Sequence, residues 1–377
     1  MLAVALRMLF GDRTKYLTLV MGLAFAALLM NQQGAIFMGL LNQATGPLQN
    51  VTQADLWVTD PGIQWVAEYR FLSDEQVSRV RSVEGVAWAE PFYNGFAVAE
   101  LSNGDFKRCQ ILGIPRTTLA GQPAVMVQGR IDDLWAPDAL IIEEQSAKLM
   151  NNAQVGDVIK LNDRRGVVVG ICKARRGFES NAIIYTTFDN AVRYSPVGRK
   201  RVSYILVKLQ EGAIASQVQE RIAALGDVSA MTTGEFRRKS IAFIVAATGI
   251  GINFGITIAL GFVVGLLLSA SIFYQFTVEN IRHFAVLKAL GARTRTLVSM
   301  VMLQALTVGT IGYGIGAGAA GAFTITTRKL ESELSAYLPW ELLVGSFLAT
   351  LLTIGLGSLL SIRRVIKVPP ALVFSGM

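Results

Sequence analysis

Few residues of this chain could act together as a chemical site. Its 377 residues include one histidine, His283, and two cysteines, Cys109 and Cys172. Zinc sites use several such ligands, and a catalytic triad needs a histidine close to its nucleophile. His283 lies far along the chain from both cysteines, so neither kind of site is expected. The pattern G-x-x-x-x-G-K-[ST], which would indicate a nucleotide-binding loop, does not occur.

Adjacent carboxylates are the remaining candidates for catalysis. Asp132–Asp133 and Glu143–Glu144 could form acid/base pairs, but neighbouring acidic residues are usually loop or edge charges. The long apolar stretches contain almost no ionisable groups, which disfavours an intramembrane hydrolase or a proton-coupled transporter. We therefore expect that the chain is not an enzyme, with no catalytic, metal-binding or cofactor-binding residues of its own.

The two cysteines leave a choice open. Cys109 and Cys172 fall on predicted strands of one region of the chain. An oxidising compartment would permit a disulfide between them. Two buried free thiols are the alternative, which we favour.

The composition indicates a membrane protein. Hydrophobic residues make up 52% of the chain and charged residues 16%, whereas soluble domains carry about 25% charged residues. Four stretches reach the length of about 20 apolar residues that a bilayer requires. They cover residues 16–41, 241–276, 297–323 and 340–362. The order predicts an α-helical membrane protein with four transmembrane helices and a large domain, residues 42–240, inserted between helices 1 and 2.

The N-terminal stretch could be a cleaved signal peptide or a retained helix. The apolar core of a signal peptide is about 7–15 residues long, and residues 16–41 exceed that length. We therefore expect a retained membrane helix. Residues 1–15, which precede it, predict a short amphipathic helix at the cytoplasmic surface.

The net charge of +8 could indicate a nucleic-acid binder or a membrane topology signal. Its distribution favours topology, because short cytoplasmic segments of membrane proteins are rich in Lys and Arg. Only Asp12 and Glu279 oppose the basic residues of three short segments, which are Arg7, Arg13, Lys15, Arg282, Lys288, Arg293, Arg295, Arg363, Arg364 and Lys367. Both termini (1–15 and 363–377) and residues 277–296 are therefore predicted to be cytoplasmic. Residues 42–240 and the short loop 324–339 are predicted outside, and no nucleic-acid partner is expected.

Residues 42–240 predict a mixed α/β domain of short strands and helices. Ser73 followed by Asp-Glu is typical of a helix N-terminus. Residues 155–161 and 166–172 predict a hairpin through the polar turn 162–165. We expect two small lobes, the second interrupting the first near residues 120–200.

The segment between the second and third membrane stretches predicts a short amphipathic helix. Residues of one helix face recur at intervals of three or four positions, namely Val278, Ile281, Phe284, Ala285 and Lys288. Gly291 is a suitable residue for the C-terminal cap of this helix.

Residues 279–292 resemble the cytoplasmic coupling segment of FtsX-like and MacB-like ABC transporter permeases. That pattern is E-R-x-R-E-[FI]-[GA]-[IV]-L-K-A-L-G-A, and the chain reads ENIRHFAVLKALGA. Asn280 replaces the usual Arg and His283 the usual Glu. Residues 111–114, 128–130, 140–149 and 155–161 resemble the MacB-like periplasmic core. Gly11-Asp-Arg13 and Gln32-Gln33 are similar to permeases of the heterocyst glycolipid exporter subgroup.

The resemblance implies a specific assembly. Such permeases are homodimers in the bacterial inner membrane, with an ABC ATPase dimer that supplies ATP and Mg²⁺ chemistry, a periplasmic adaptor (membrane fusion protein), an outer-membrane channel and the surrounding membrane lipid. The large domain would be periplasmic. The ATPase-coupling residues would be Glu279, Arg282, His283, Phe284, Lys288 and Gly291.

The second membrane stretch could continue beyond the bilayer as a stalk. As one helix, residues 241–274 would be about 51 Å long, against a hydrocarbon core of about 30 Å. A tilted or interrupted span is the alternative. Two G-x-x-x-G pairs, Gly251–Gly255 and Gly261–Gly265, could permit close helix packing.

These features predict the permease subunit of a MacB-type exporter, which would couple ATP hydrolysis in a partner to a periplasmic conformational change, or mechanotransmission. A non-transporting FtsX-like regulator of a cell-wall hydrolase and a lipoprotein-release permease are the alternatives. The transported substrate stays open.

Overall fold

The computed structural model describes residues 7–10, 13–68, 70–101, 103–177, 181–195, 201–329 and 335–366. Most of the predicted N-terminal amphipathic segment and the tail from residue 367 lie outside these ranges. The chain divides into two units, described separately below. The membrane unit comprises Met1–Leu40 and Ile250–Met377, and the outer unit comprises Leu41–Gly249.

The helices are given first, in chain order. They are α1 (Arg13–Ala44), α2 (Gly46–Asn50), α3 (Asp74–Arg81), α4 (Glu144–Leu149), α5 (Phe188–Tyr194), α6 (Ala215–Ala223), α7 (Thr233–Ala247), α8 (Ile250–Glu279), α9 (Ile281–Ala289), α10 (Thr294–Lys329) and α11 (Trp340–Ile366). A 3₁₀ helix covers Ile131–Trp135.

The strands all belong to the outer unit. They are β1 (Leu56–Thr59), β2 (Val86–Glu100), β3 (Phe106–Ile114), β4 (Val125–Gln128), β5 (Ala139–Glu143), β6 (Val158–Leu161), β7 (Arg164–Lys173), β8 (Ala182–Thr187), β9 (Tyr204–Leu209) and β10 (Ser229–Thr232).

Within the described residues, four helices are long and apolar enough to cross a membrane. They cover Tyr16–Ala44, Ile250–Glu279, Thr294–Thr327 and Trp340–Arg363. Each contains most of one predicted stretch, so the predicted number and order of membrane helices are confirmed. The first, third and fourth helices extend one to four residues beyond a predicted bound, whereas the second begins at Ile250, nine residues after the predicted start.

The second membrane stretch is not one continuous helix. Helix α7 ends at Ala247, and α8 begins at Ile250. Between them Gly249 has a φ of +69°, a conformation that glycine adopts without the steric cost of a Cβ. The uninterrupted 241–274 helix is therefore wrong, and the interrupted alternative is the one found.

The outer unit is built on a single ten-stranded mixed sheet. Its order is β10-β1-β9-β2-β3-β8-β5-β7-β4, with β6 paired to β2 and β7. The long strand β2 pairs with β9 through residues 86–92 and with β3 through residues 93–100. The sheet therefore has two halves joined by β2, where the sequence predicts two lobes divided near residues 120 and 200.

Both faces of this sheet are covered. Alternate residues of the same strands enter two separate apolar cores: Leu56 and Val58 contribute to one, and Trp57 to the other. The period of two along a strand sends successive side chains to opposite faces. This two-sided burial explains why strands such as β5 and β8 read as continuous apolar runs.

Local signals fix the ends of several elements. Helix α3 begins after Ser73, as the sequence predicts, and Ser73 forms a reciprocal capping box with Gln76. The hairpin of β6 and β7 turns through Asn162 and Asp163, whose φ values are +47° and +62°. Positive φ at both central positions is typical of a type I′ hairpin turn, and Asn and Asp tolerate it.

Candidate functional site

Helix α9 is the segment with the strongest sequence signal, and one of its faces is buried. Phe284 and Ala285 are fully buried. Phe284 belongs to an apolar cluster with Leu297 and Val301 of α10 and Val365 of α11. This cluster fixes the rotation of α9 within the membrane unit.

The C-terminus of α9 is closed by the predicted glycine. Gly291 has a φ of +92°. Its N–H donates to the carbonyl oxygen of Lys288 at 3.1 Å, and the N–H of Ala292 donates to that of Leu287 at 3.0 Å. This pair of hydrogen bonds is the Schellman motif, which requires a left-handed residue where Gly291 lies.

Lys288 and Glu279 contact their own membrane unit. The Lys288 ammonium donates to the carbonyl oxygen of Ile366, the last residue of α11, at 3.1 Å. A cation is favourable there because the C-terminus of a helix carries partial negative charge. Glu279, the last residue of α8, accepts a hydrogen bond from the Gln275 side chain at 3.2 Å. Lys288 therefore supports the end of a neighbouring helix, whereas this Glu279 contact lies within the last turn of α8.

Asn280 occupies the position at which related segments carry Arg, and its side chain forms a hydrogen bond to the preceding helix. Its Nδ2 donates to the carbonyl oxygen of Phe276 at 2.9 Å. This carbonyl belongs to the last turn of α8 and also accepts the backbone N–H of Asn280 at 3.1 Å. The substitution therefore leaves a residue that completes the junction between α8 and α9.

The opposite side of α9 is exposed and combines basic and apolar groups. Arg282 and His283 are exposed, as are Val286 at 41% and Leu290 at 79%. We call these four residues the coupling face. Of the predicted coupling residues, Arg282 and His283 lie on it, whereas Phe284 and Lys288 point towards the membrane unit.

Val286 and Leu290 are functional candidates that the sequence reasoning missed. They follow Arg282 at steps of four residues, so they lie along one stripe of the helix. The sequence does contain a signal for them, since α9 has apolar residues on two faces. Such a helix can bury only one of those faces against its own unit. An exposed Leu beside basic residues fits the apolar centre and Arg-rich composition of protein interfaces.

The glycines predicted to pack helices divide into two groups. Gly261 and Gly265 of α8 face α1: a Cβ at Gly265 would lie 2.9 Å from the Cβ of Ala26, and one at Gly261 would lie 3.3 Å from Met30 Cγ. A Cβ at Gly255 would meet open space, and Gly251 is half-buried. Of the two predicted pairs, Gly261–Gly265 is therefore the one at which α8 closely approaches α1.

A second set of glycines brings α10 against α1. A Cβ at Gly312 would lie 2.9 Å from the Cβ of Leu23. A Cβ at Gly316 would overlap the carbonyl oxygen of Ala24. Helices can approach this closely only where one of them lacks side chains.

A buried polar network links three helices of the membrane unit. The Ser346 hydroxyl of α11 donates to the Asn31 side-chain oxygen of α1 at 2.8 Å. The Tyr313 hydroxyl of α10 donates to the Leu343 carbonyl at 2.6 Å and lies 3.1 Å from the Ser346 oxygen. These contacts satisfy polar groups that would otherwise be costly in an apolar environment.

The carboxylate pairs of the outer unit serve local structure. Asp133 accepts the N–H of Arg130 at 2.7 Å at the start of the 3₁₀ helix. Glu143 is 4% exposed and caps α4 by accepting the N–H of Ser146 at 2.8 Å. Within the described residues, no group of three or more His, Cys, Asp or Glu side chains is arranged to hold a metal ion.

Both cysteines are buried free thiols, the alternative that the sequence favours. Cys109 lies in β3 and Cys172 in β7. Burial, which disfavours the charged thiolate, raises the pKa of each thiol to about 12. The two thiols are therefore unreactive near neutral pH.

Two family models match nearly the whole chain. The MacB-like periplasmic core domain matches residues 17–225. The FtsX-like permease C-terminal domain matches residues 255–370, which include α9. The matched ranges follow the order of one helix, the outer unit and three membrane helices.

Individual relatives agree with these matches. An ABC transporter permease of Mycobacterium tuberculosis is 25% identical over 316 residues, covering 80% of this chain and 79% of the relative. A permease of Methanocaldococcus jannaschii is 26% identical over 209 residues, which cover 51% of this chain and 50% of that permease.

Among solved structures, the periplasmic region of MacB from Actinobacillus actinomycetemcomitans is 14% identical with a TM-score of 0.38, covering 51% of this chain and 94% of that one. The family assignment rests on the two domain matches, of which the first alone covers more than half of the chain. The protein belongs to the ABC transporter permeases of the MacB/FtsX type, with a MacB-like periplasmic core domain and an FtsX-like C-terminal domain.

Proposed function

We propose that the chain is the permease subunit of a MacB-type exporter of the bacterial inner membrane. In this proposal the coupling face of α9 binds a separate ABC ATPase, and ATP-driven movement of that ATPase reaches the outer unit through α8. The observation that carries the proposal is the geometry of α9, a helix fixed on one side by Phe284 and exposing Leu290 and Arg282 on the other.

The anchoring of α9 suits a part that receives force. A force applied to the coupling face acts on α10 and α11 because Phe284 packs between them and Lys288 holds the end of α11. Helix α8 joins α9 through the single residue Asn280. A displacement of α9 would therefore move the ends of three membrane helices together.

The proposed assembly follows from the family. The chain has no nucleotide-binding loop, so ATP and Mg²⁺ would be bound by the partner ATPase dimer. We propose a homodimer of this permease, a periplasmic adaptor and an outer-membrane channel as the remaining parts. The basic residues near α9 and at both chain ends support a cytoplasmic location for these segments.

Co-purification tests the coupling face directly. The tagged chain is isolated from its native membrane as wild type and as the double variant Arg282→Glu, Leu290→Asp. We expect the wild type to retain an ABC ATPase and the variant to retain at least tenfold less, because charge and apolar contact are both reversed.

The matched control is Arg130→Glu, Ile214→Asp, which makes the same changes at exposed positions of the outer unit. Equal ATPase recovery from both double variants would remove the coupling face from the proposal. An ATPase recovered together with a cell-wall hydrolase, and with no adaptor, would favour the regulatory alternative over export.

A further inference from the structure

Helix α7 has one face fixed against the outer unit. Phe236, Ser240 and Ile244 recur every four residues and are buried. The Ser240 hydroxyl oxygen accepts the N–H of Val66 at 3.2 Å. Phe236 packs edge-on against the ring of Trp57, with centroids 6.2 Å apart. These contacts set the rotation of α7 and therefore determine which residues point away from the unit.

The outward face of α7 changes character along the helix. Its first half exposes Arg237 and Arg238, and its second half exposes Ala242, Val245 and Ala246. From Arg238 to Val245 the helix advances by seven residue steps, which is a rise of about 10 Å. The polar interface on each side of a bilayer is about 5–8 Å thick. The change from basic to apolar thus matches the passage from phosphate groups to hydrocarbon.

The chain itself places this face near a membrane. Helix α7 ends at Ala247, and the candidate membrane helix α8 begins at Ile250. Three residues of extended chain span at most about 10 Å. Whatever the arrangement of the two units, the apolar end of α7 lies within that distance of the start of α8.

An aromatic pair lies beside the same turns. The rings of Trp65 and Phe243 stack with centroids 6.3 Å apart and an interplanar angle of 21°. Both side chains are half-buried, so each leaves an edge uncovered. Tryptophan is enriched at the boundary between hydrocarbon and head groups, where its ring is amphipathic.

Two acidic groups face the basic run, Glu68 near Lys239 and Glu235 near Arg238, and both also accept other hydrogen bonds. Glu68 accepts the side chain of Arg70 at 2.7 Å. Glu235 accepts the N–H of Thr232 at 2.8 Å and the amide of Gln219 at 2.7 Å. Arg237 and Arg238 are exposed at the start of the face, whereas Lys239 is half-buried near Glu68. The three basic residues exceed the two facing carboxylates by one positive charge.

We propose that this face, formed by Arg237, Arg238, Ala242, Val245 and Ala246, is a binding surface for acidic phospholipids of the leaflet on the side of the outer unit. Arg237 and Arg238 hold lipid phosphate groups, and the apolar turn enters the upper acyl region. Consecutive basic residues beside a membrane helix attract anionic lipid in this way. The contact ties the outer unit to the bilayer beside α8.

Fluorescence quenching in nanodiscs tests the contact with the full-length chain. A bimane label is placed on Ala246→Cys, and the discs contain phosphatidylcholine alone or with 30% phosphatidylglycerol, each with a shallow doxyl-labelled lipid. We expect strong quenching by the lipid at Ala246, greater with phosphatidylglycerol. The same label on Glu211→Cys, an exposed turn of the outer unit, should be quenched by aqueous iodide and not by lipid.

Charge reversal tests the role of the arginines. Arg237→Glu, Arg238→Glu should abolish the phosphatidylglycerol-dependent part of the quenching at Ala246. The matched control is Arg164→Glu, Arg165→Glu, another consecutive exposed pair of the outer unit, and it should leave that part unchanged.

Two outcomes would overturn the proposal. Iodide quenching without lipid quenching at Ala246 would show that the face is in water. Protection from both quenchers, with a short distance between labels of two chains, would show that a second copy covers the face. Neither measurement involves an ATPase, so the result is independent of the proposed transport function.

Discussion

Arg282 and Lys288 lie on the same nine-residue helix, but their side chains point to opposite sides of it. The Arg282 side chain is exposed on the coupling face, whereas Lys288 reaches the last carbonyl of α11. Lys288→Glu would bring a carboxylate against a carbonyl oxygen at the negative end of a helix. Any transport defect of that variant would therefore report a weakened α9–α11 junction, and Arg282 is the cleaner probe of a partner.

The role of Gly291 could be predicted from the sequence, whereas the exposure of its neighbour Leu290 could not. The glycine follows the last periodic residue of α9, and the left-handed cap requires that residue type. Leu290 has the same apolar character as Phe284, but 79% of it is exposed while Phe284 is buried. Periodicity locates apolar residues on a helix without saying which of two stripes meets another helix.

The thiols allow a test at this scale. Because burial raises the pKa of Cys109 and Cys172 to about 12, we expect no reaction of the folded protein with a maleimide at pH 7. Two thiols per chain should react in guanidinium chloride without reductant. In the unfolded chain the thiols lose their protons near pH 9, whereas the buried thiols of the folded protein keep theirs. The free energy of unfolding should therefore fall as the pH rises above about 9. Zero reactive thiols in denaturant would show a disulfide.

At the scale of elements, α1 is the helix that the others approach. Gly261 and Gly265 of α8 and Gly312 and Gly316 of α10 all face it. The Ser346–Asn31 hydrogen bond adds a polar contact from α11. Helix association in lipid depends on such close packing and hydrogen bonds, because apolar side chains gain little by leaving lipid for each other. Helix α1 is thus held by shape more than by hydrophobicity.

Two glycines of α10 give a matched test of this packing. A Cβ at Gly316 would overlap the backbone of α1, whereas one at Gly314 meets open space. Gly316→Val should destabilise the protein by about 1–3 kcal/mol, as overpacking does. Gly314→Val makes the same chemical change two residues away and should be close to neutral.

Thermal unfolding of both variants in detergent measures the difference. A lower melting temperature for Gly316→Val alone is the expected result. Equal melting temperatures would mean that α1 and α10 do not touch at this glycine.

Long elements could be predicted from the sequence, and short edge elements could not. The membrane helices and the strand Tyr204–Leu209 follow apolar patterns that are long or bounded by polar residues. The strands β4 and β10 have four residues each and lie at the two ends of the sheet. The strand β4 reads Val-Met-Val-Gln and β10 reads Ser-Ala-Met-Thr, and runs of four residues are too short to show a period. The break at Gly249 was equally hidden, because glycine is frequent throughout these helices.

At the scale of the whole chain, composition and charge carry most of the information. The order of one membrane helix, an outer unit and three further helices is visible in the hydropathy alone. The inward or outward location of each segment rests on the distribution of Lys and Arg. The contacts within each unit depend on side-chain fit, which no property of composition reports.

Cysteine accessibility tests the predicted topology. A membrane-impermeant maleimide should label Glu211→Cys in intact spheroplasts, because the outer unit is predicted outside. Arg295→Cys, an exposed position near the start of α10, should be labelled only after lysis. Labelling of Arg295→Cys in intact spheroplasts would reverse the predicted orientation.

Gly249 determines which kinds of mechanical load can pass between α7 and α8. A continuous α-helix resists twisting and bending because backbone hydrogen bonds tie each turn to the next. Those bonds stop between Ala247 and Ile250, and Gly249, with its φ of +69°, can rotate with little steric hindrance. We therefore expect tension to pass along the chain at this point and torque to be absorbed by rotation at Gly249. If α8 moves as proposed, we expect its axial shift, and not its rotation, to act on α7.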